Sequence, residues 1–358
     1  MAALSASELA VTRHLLVHGP TTRAVLGDRL QLSYASMSRL ARSLTDGGLV
    51  TQDAEPDFTI GRPRQILSAV PGARHVVGCK LTADMAYGVA CDMFGEVLTT
   101  AKATLPARGA DGLVPVAAVI RAVARLVRRL ARKVPSVDGI AVSLGGVVVN
   151  RAIVREGTFL GWRDVDLATP LRRDTGLPVI VTNDVTALAR EQLWFGAGRT
   201  HSTFGLITVG AGLGFGVVRE GIVVEELIDN GHLLAHSPLN SNGPRCGLGH
   251  AGCVAAYLDR ADASHRPRVA LEDSALALGN LAATFAGALQ TTRIVLAGED
   301  VAEIAANPAM TAAVADRLRP GPDETQRCTL DITTATLTFT DWARGAAVAG
   351  VQHVLGAL

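Results

Sequence analysis

Apolar residues recur at helical spacing as soon as the chain begins. Leu9, Val11, Leu15 and Leu16 share one face of a helix over residues 6–19. Gly19-Pro20 stops that run, and Thr21 or Thr22 can cap a second helix ending near Leu30. Ser33 caps a third helix to about Asp46, which Gly47-Gly48 ends. Leu26, Leu30, Leu32, Met37, Leu40 and Leu44 are the apolar set expected to pack the three helices. Residues 49–51 and 65–70 read as strands flanking a polar stretch with two prolines. Three helices followed by a β-hairpin predict a winged helix-turn-helix over residues 1–72.

From His75 the pattern turns to strands. Residues 75–79, 86–91 and 96–100 read as consecutive strands, followed by a long helix over about 112–134. Residues 140–144 and 179–182 are apolar strands of the buried kind. The second half repeats the theme, with strands at 203–208, 215–219 and 293–297 and a closing helix over about 340–358. The expected class is α/β, with two lobes and a cleft between them. One lobe covers about 73–200 plus the closing helix, the other about 201–339.

Composition changes this picture little. The 358 residues are 48% apolar and 19% charged, which suits a large buried core. The formal charge is +1, and residues 1–70 hold 7 Arg against 6 Asp/Glu. DNA binding must therefore rest on a motif and not on a basic footprint. No signal-peptide pattern and no apolar run of 18 residues is evident. Five cysteines without a secretion signal argue against a disulfide framework and for a reducing cytoplasm.

In a helix-turn-helix the second helix of the motif enters the major groove. That helix offers Ser33, Tyr34, Ser36, Ser38 and Arg39 to phosphates or base edges. Gly61-Arg62-Pro63-Arg64 has the character of an arginine-bearing arm for a minor groove, through Arg62 and Arg64. The plainer alternative is a three-helix interaction module without DNA contact.

Two further features carry chemistry. Asn183-Asp184 follows an apolar strand and precedes a helix, and the glycines Gly210, Gly212, Gly214 and Gly216 follow about one βα unit later. A strand-end carboxylate with a glycine-rich phosphate cradle is the layout of a sugar kinase. The alternative for the glycines is a tight β-hairpin that holds no nucleotide.

Head, Asn-Asp pair, glycine run and a His/Cys cluster occur in an order that resembles the ROK family of sugar kinases and sugar-responsive repressors. The resemblance covers nearly the whole chain. It implies an actin/hexokinase-like ATPase-type fold over residues 73–358, and the head points to the repressor branch. Kinases of the family carry Asp-x-Gly-x-Thr after the first strand, and that Asp helps hold Mg²⁺. The matching stretch is Gly78-Cys79-Lys80-Leu81-Thr82, with Lys80 at the Asp position. An ammonium cannot ligate Mg²⁺, so the resemblance leaves no working kinase, and Asp184 becomes a vestigial counterpart of the catalytic base. Asn183, Asp184 and His236 are then the candidates for effector contact.

The resemblance also implies polar sugar contacts that this chain lacks. Phe159, Leu233 and Ala255 stand where the family commonly has Asn, Glu and Glu. A modified or more apolar effector, or none, is the consequence. The family's zinc motif maps onto His236, Cys246 and Cys253, while Leu248 replaces its middle cysteine. His250 is the candidate fourth ligand for a structural Zn²⁺, His232 is the alternative, and a vestigial loop is the reading without metal. The expectation is a homodimeric or dimer-of-dimers repressor of carbohydrate-related genes, with an operator duplex and a small effector as partners and no membrane. A carbohydrate kinase with an accessory head is the competing reading, and a regulator that binds a partner protein is the third.

Overall fold

The computed structural model describes residues 4–55, 64–225, 232–258, 269–319 and 329–358. The chain divides into two compact units, residues 1–187 with 342–358, and residues 188–341.

The first unit opens with α1 (Ala6–His18), β1 (Thr21–Thr22), α2 (Arg23–Leu30), α3 (Tyr34–Asp46), β2 (Val50–Glu55) and β3 (Arg64–Ala69). The strands pair antiparallel in the order β1-β3-β2. Ser5 and Glu8 cap α1 reciprocally, and Ser43 on α3 donates to the same Glu8 carboxylate at 2.5 Å. One carboxylate thus satisfies a helix end and ties two helices. Val11, Leu15, Leu26, Met37, Ala41, Leu44 and Leu67 are buried together with Leu49 and Val50. Leu30, Leu32 and Leu40 are only half-buried.

The unit continues through β4 (Val76–Leu81), β5 (Met85–Cys91), β6 (Val97–Thr104), α4 (Val116–Ala131) and β7 (Gly139–Leu144). Then come β8 (Val147–Val149), β9 (Ile153–Gly157), β10 (Trp162–Asp166), α5 (Ala168–Thr175), β11 (Val179–Asn183) and α6 (Asp184–Trp194), the last running on into the second unit. The helix expected from residue 112 starts at Val116, because Pro115 disfavours helical backbone in the residue before it. The main sheet has the order β11-β7-β4-β5-β6, with β4, β5 and β6 antiparallel and β7 and β11 parallel to β4.

Side chains alternate across this sheet. Val77, Cys79 and Leu81 join the α4 core, whereas Ala141 and Ile180 pack on α12 (Phe339–Val354). Gly78 also faces α12, and a Cβ there would collide with the backbone of Ala343 and Ala347. A glycine at this point is what lets the helix lie on the strand.

The second unit holds β12 (Phe204–Val209), β13 (Leu213–Arg219), β14 (Ile222–Val224), α7 (His232–Ala235), α8 (Val254–Leu258) and α9 (Leu271–Leu289). It ends with β15 (Arg293–Gly298), α10 (Val301–Ala306), α11 (Pro308–Arg317) and β16 (Asp331–Thr336). Its sheet order, β14-β13-β12-β15-β16, repeats that of the first unit: three antiparallel strands, then two parallel ones. Ile207, Val209, Ile294 and Leu296 pack under α9, α10 and α11. Among the described residues no helix is long and apolar enough to cross a membrane.

Candidate functional site

Lys80 sits near the end of β4, on the strand face that carries α12. Both Lys80 and Asp184 are buried, and the Lys80 ammonium donates to Asp184 Oδ2 as a salt bridge. The same ammonium lies 5.3 Å from the ring centroid of Trp342, a cation–π distance. The other carboxylate oxygen of Asp184 accepts the Val185 N–H at 2.9 Å. Each oxygen of the strand-end carboxylate therefore already has a donor from this chain.

Asn183 is equally engaged. Its Oδ1 accepts the Thr186 N–H at 3.0 Å, which caps α6, and its amide donates to the Gly146 carbonyl at 2.9 Å. Beside them, the Phe159 ring rests on Gly145, where a Cβ would touch it. Arg108 holds that turn by donating to the carbonyls of Thr158 and Phe159 at 3.3 and 3.0 Å. The position that the resemblance assigns to an amide is thus an apolar ring fixed by a guanidinium.

The four glycines Gly210, Gly212, Gly214 and Gly216 divide into two pairs. Gly210 and Gly212 lie in the turn between β12 and β13, and the Gly210 N–H donates to the Gly212 carbonyl at 3.2 Å. Gly214 and Gly216 are ladder residues of β13, opposite Thr208 and Leu206. Gly216 leaves room for Leu206 and Ala189.

His236, Cys246, His250 and Cys253 converge, with one ligand atom from each all within 4.8 Å of one another. His236 Nδ1 is 3.6 Å from Cys246 Sγ and 3.5 Å from Cys253 Sγ. Those spacings match the edges of a tetrahedron about 2.0–2.3 Å from centre to ligand. The backbone builds this arrangement. Cys246 donates its N–H to the His250 carbonyl at 3.0 Å, and Gly252 to Pro244 at 2.7 Å. Gly252 adopts φ 58°, and any side chain there would strike the Asn240 carbonyl.

Burial pushes the Cys246 thiol up, but the Leu248 N–H, the Cys253 thiol and the N–H groups of His250 and Gly249 outweigh it and hold the thiol below its ordinary value. Burial raises Cys253. Two sulfurs and two imidazoles with amide donors on one sulfur suit a borderline-soft divalent ion. Leu248 is 61% exposed. His232 stacks on His236 with centroids 4.5 Å apart, but it is not one of the four converging groups. His236 belongs to this cluster in the second unit, whereas Asn183 and Asp184 belong to the first.

On α3 the buried side is Met37, Ala41 and Leu44. Arg39 points to solvent, and Tyr34 is 79% exposed. Ser33 Oγ accepts the Ser36 N–H as the helix cap, so that hydroxyl serves the helix. Ser36 and Ser38 are half-buried. Arg42 is exposed one turn beyond Ser38 and Arg39. The sequence reading passed over it, although the i, i+3 spacing from Arg39 was available. Arg62 lies outside the described residues; Arg64 opens β3, and its side chain also lies outside them.

Residues 95–262 match the family model described as ROK family. That match spans just under half of the chain, and over it the chain is similar to the ROK family. The xylose repressor of Bacillus subtilis is 21% identical over 245 residues, covering 68% of this chain and 63% of the relative. A glucokinase of Thermotoga maritima is 36% identical over 115 residues, covering 32% of this chain and 36% of the relative. The chain thus spans less than two thirds of the length of either curated relative. A solved ROK-family transcriptional regulator, described as a homologue of the E. coli MLC protein, superposes with a TM-score of 0.73 at 20% identity, covering 98% of this chain and 96% of that one. This likeness supports the mixed α/β, sugar-kinase-like ROK fold.

Proposed function

We propose that this chain is a DNA-binding transcriptional regulator, a repressor of carbohydrate-related genes, that does not transfer phosphate. The observation that carries this reading is the salt bridge from Lys80 to Asp184. A phosphoryl-transfer site needs a free carboxylate to accept the sugar-hydroxyl proton and another to hold Mg²⁺. Here an ammonium occupies the second position and binds the first. The head supports the rest: a winged helix-turn-helix over residues 1–72 would present Tyr34, Arg39 and Arg42 from α3 to a duplex. The repressor relative points the same way, and the glucokinase relative keeps the kinase reading in view.

The effector we propose is a sugar derivative with an apolar face, set against Phe159 near Asn183 and Asp184. A structural zinc fits His236, Cys246, His250 and Cys253, where it would lock the residue 236–253 loop. Two heads reading two half-sites imply a homodimer or a dimer of dimers in the cytoplasm.

Incubation with a panel of hexoses, amino sugars and their derivatives, with ATP and Mg²⁺, tests the reading. No phosphorylated product above a protein-free control is expected. Turnover that disappears in Asp184→Ala establishes a kinase instead.

A further inference from the structure

We infer that Glu299 is a specificity determinant of the glycine turn at residues 210–212, set to refuse phosphate groups. The backbone puts it there. Strands β12 and β15 are parallel neighbours, paired from Gly205↔Ile294 to Thr208↔Ala297, so both end at the same edge of the sheet. Gly298 adopts φ 120°, a conformation that L side chains rarely take, and a Cβ there would strike the Val209 carbonyl. Asp300 then donates its N–H to that carbonyl at 3.3 Å. The chain is folded tightly over the end of β12 at this point, and Glu299 is the residue between.

The consequence is seen at Gly210. A Cβ on Gly210 would meet the Glu299 carboxylate oxygen, so Glu299 fills the close approach that a missing side chain leaves open. A glycine turn receives phosphate because bare backbone amides can come close to its oxygens. In this turn the Gly210 N–H is spent on Gly212, and the vacant space holds a negative charge. Glu299 is exposed, so it does not occupy this place to fill a core. A carboxylate about 4 Å from a single negative charge opposes binding by roughly sixfold even at the dielectric of water, and by more for a phosphate group that carries two.

The first unit has the complementary device, since Lys80 supplies a cation to its strand-end carboxylate. Each unit therefore satisfies its own charged position from within: a lysine where a metal ion would be drawn, a glutamate where a phosphate would be drawn. This inference rests on the regulator reading, and it adds which class of ligand the second unit excludes.

Titration of the full chain with ATP, pyrophosphate and adenosine, for wild type, Glu299→Gln and Glu299→Ala, tests it. Thermal melts of the three proteins are recorded alongside, so that a change in stability is separated from a change in binding. Glu299→Gln and Glu299→Ala are expected to bind ATP and pyrophosphate at least tenfold more tightly than wild type, with adenosine unchanged. Equal ATP affinity in wild type and variants overturns the inference, whether that affinity is high or undetectable. An equal gain for adenosine also overturns it, because the effect would then be steric and not directed at phosphate. Operator binding by the same variants separates the two claims: if it persists while the nucleotide result fails, only the role of Glu299 falls.

Discussion

Replacing Lys80 with methionine is expected to destabilise the first unit by about 3–5 kcal/mol, the cost of leaving a buried charge without its partner. Methionine keeps most of the volume and removes the ammonium. Asp184 would then be buried with a single donor, the Val185 N–H. Asp184→Asn should be costly too, for the reverse reason. The double variant Lys80→Met/Asp184→Leu is the informative one. It removes both charges and should recover most of the loss, because buried pairs replaced by apolar residues are often neutral. Hydrogen exchange of the β4, β7 and β11 amides reads the effect within this unit. Wild-type protection in Lys80→Met would mean that the ammonium is not engaged with Asp184, and the argument against phosphoryl transfer would lose its footing.

Loss of the proposed zinc is the second large effect. Chelation, or Cys253→Ser, should release about one zinc per chain and lower the melting temperature of the second unit by about 10 °C. That figure follows from about 4 kcal/mol of binding linkage at a thousandfold excess over Kd, spread over a unit of this size. Cys253 is buried and its sulfur meets His236, so serine loses both a ligand and its packing. His250→Ala distinguishes the ligand sets. A large loss of zinc affinity places His250 in the tetrahedron. Unchanged affinity assigns the fourth position to His232 or water. Protein purified without chelator that contains no metal would make the loop vestigial.

Much of the fold could be read from pattern. Strands β4, β7, β11 and β15 are mainly apolar and buried along nearly their whole length, which gives them a strong signal. The family resemblance implied His236, Cys246 and Cys253, with His250 as the candidate fourth ligand, and the four side chains do converge. By contrast, β8 is only three valines long, and β9 and β10 are five-residue strands that mix charged residues with apolar ones, so neither period stands out. The partner of Lys80 was invisible because 104 residues separate it from Asp184 and only the parallel sheet unites them. Trp342 reaches Lys80 because Gly78 admits α12, a close approach that no periodicity encodes. Glu299 was missed for the same reason: its position follows from the turn at Gly298 and not from a motif.

Selection of bound duplexes from a random library, at one fixed salt concentration, tests the central claim most directly. Wild-type protein and Arg39→Ala/Arg42→Ala are compared, both residues being exposed on α3 and dispensable for its packing. The account predicts that wild type enriches a site of two symmetry-related half-sites, with centres about one helical turn apart or a multiple of it, and that the double variant loses this enrichment. No enrichment by folded wild-type protein, or the same enriched site in the double variant, would contradict it.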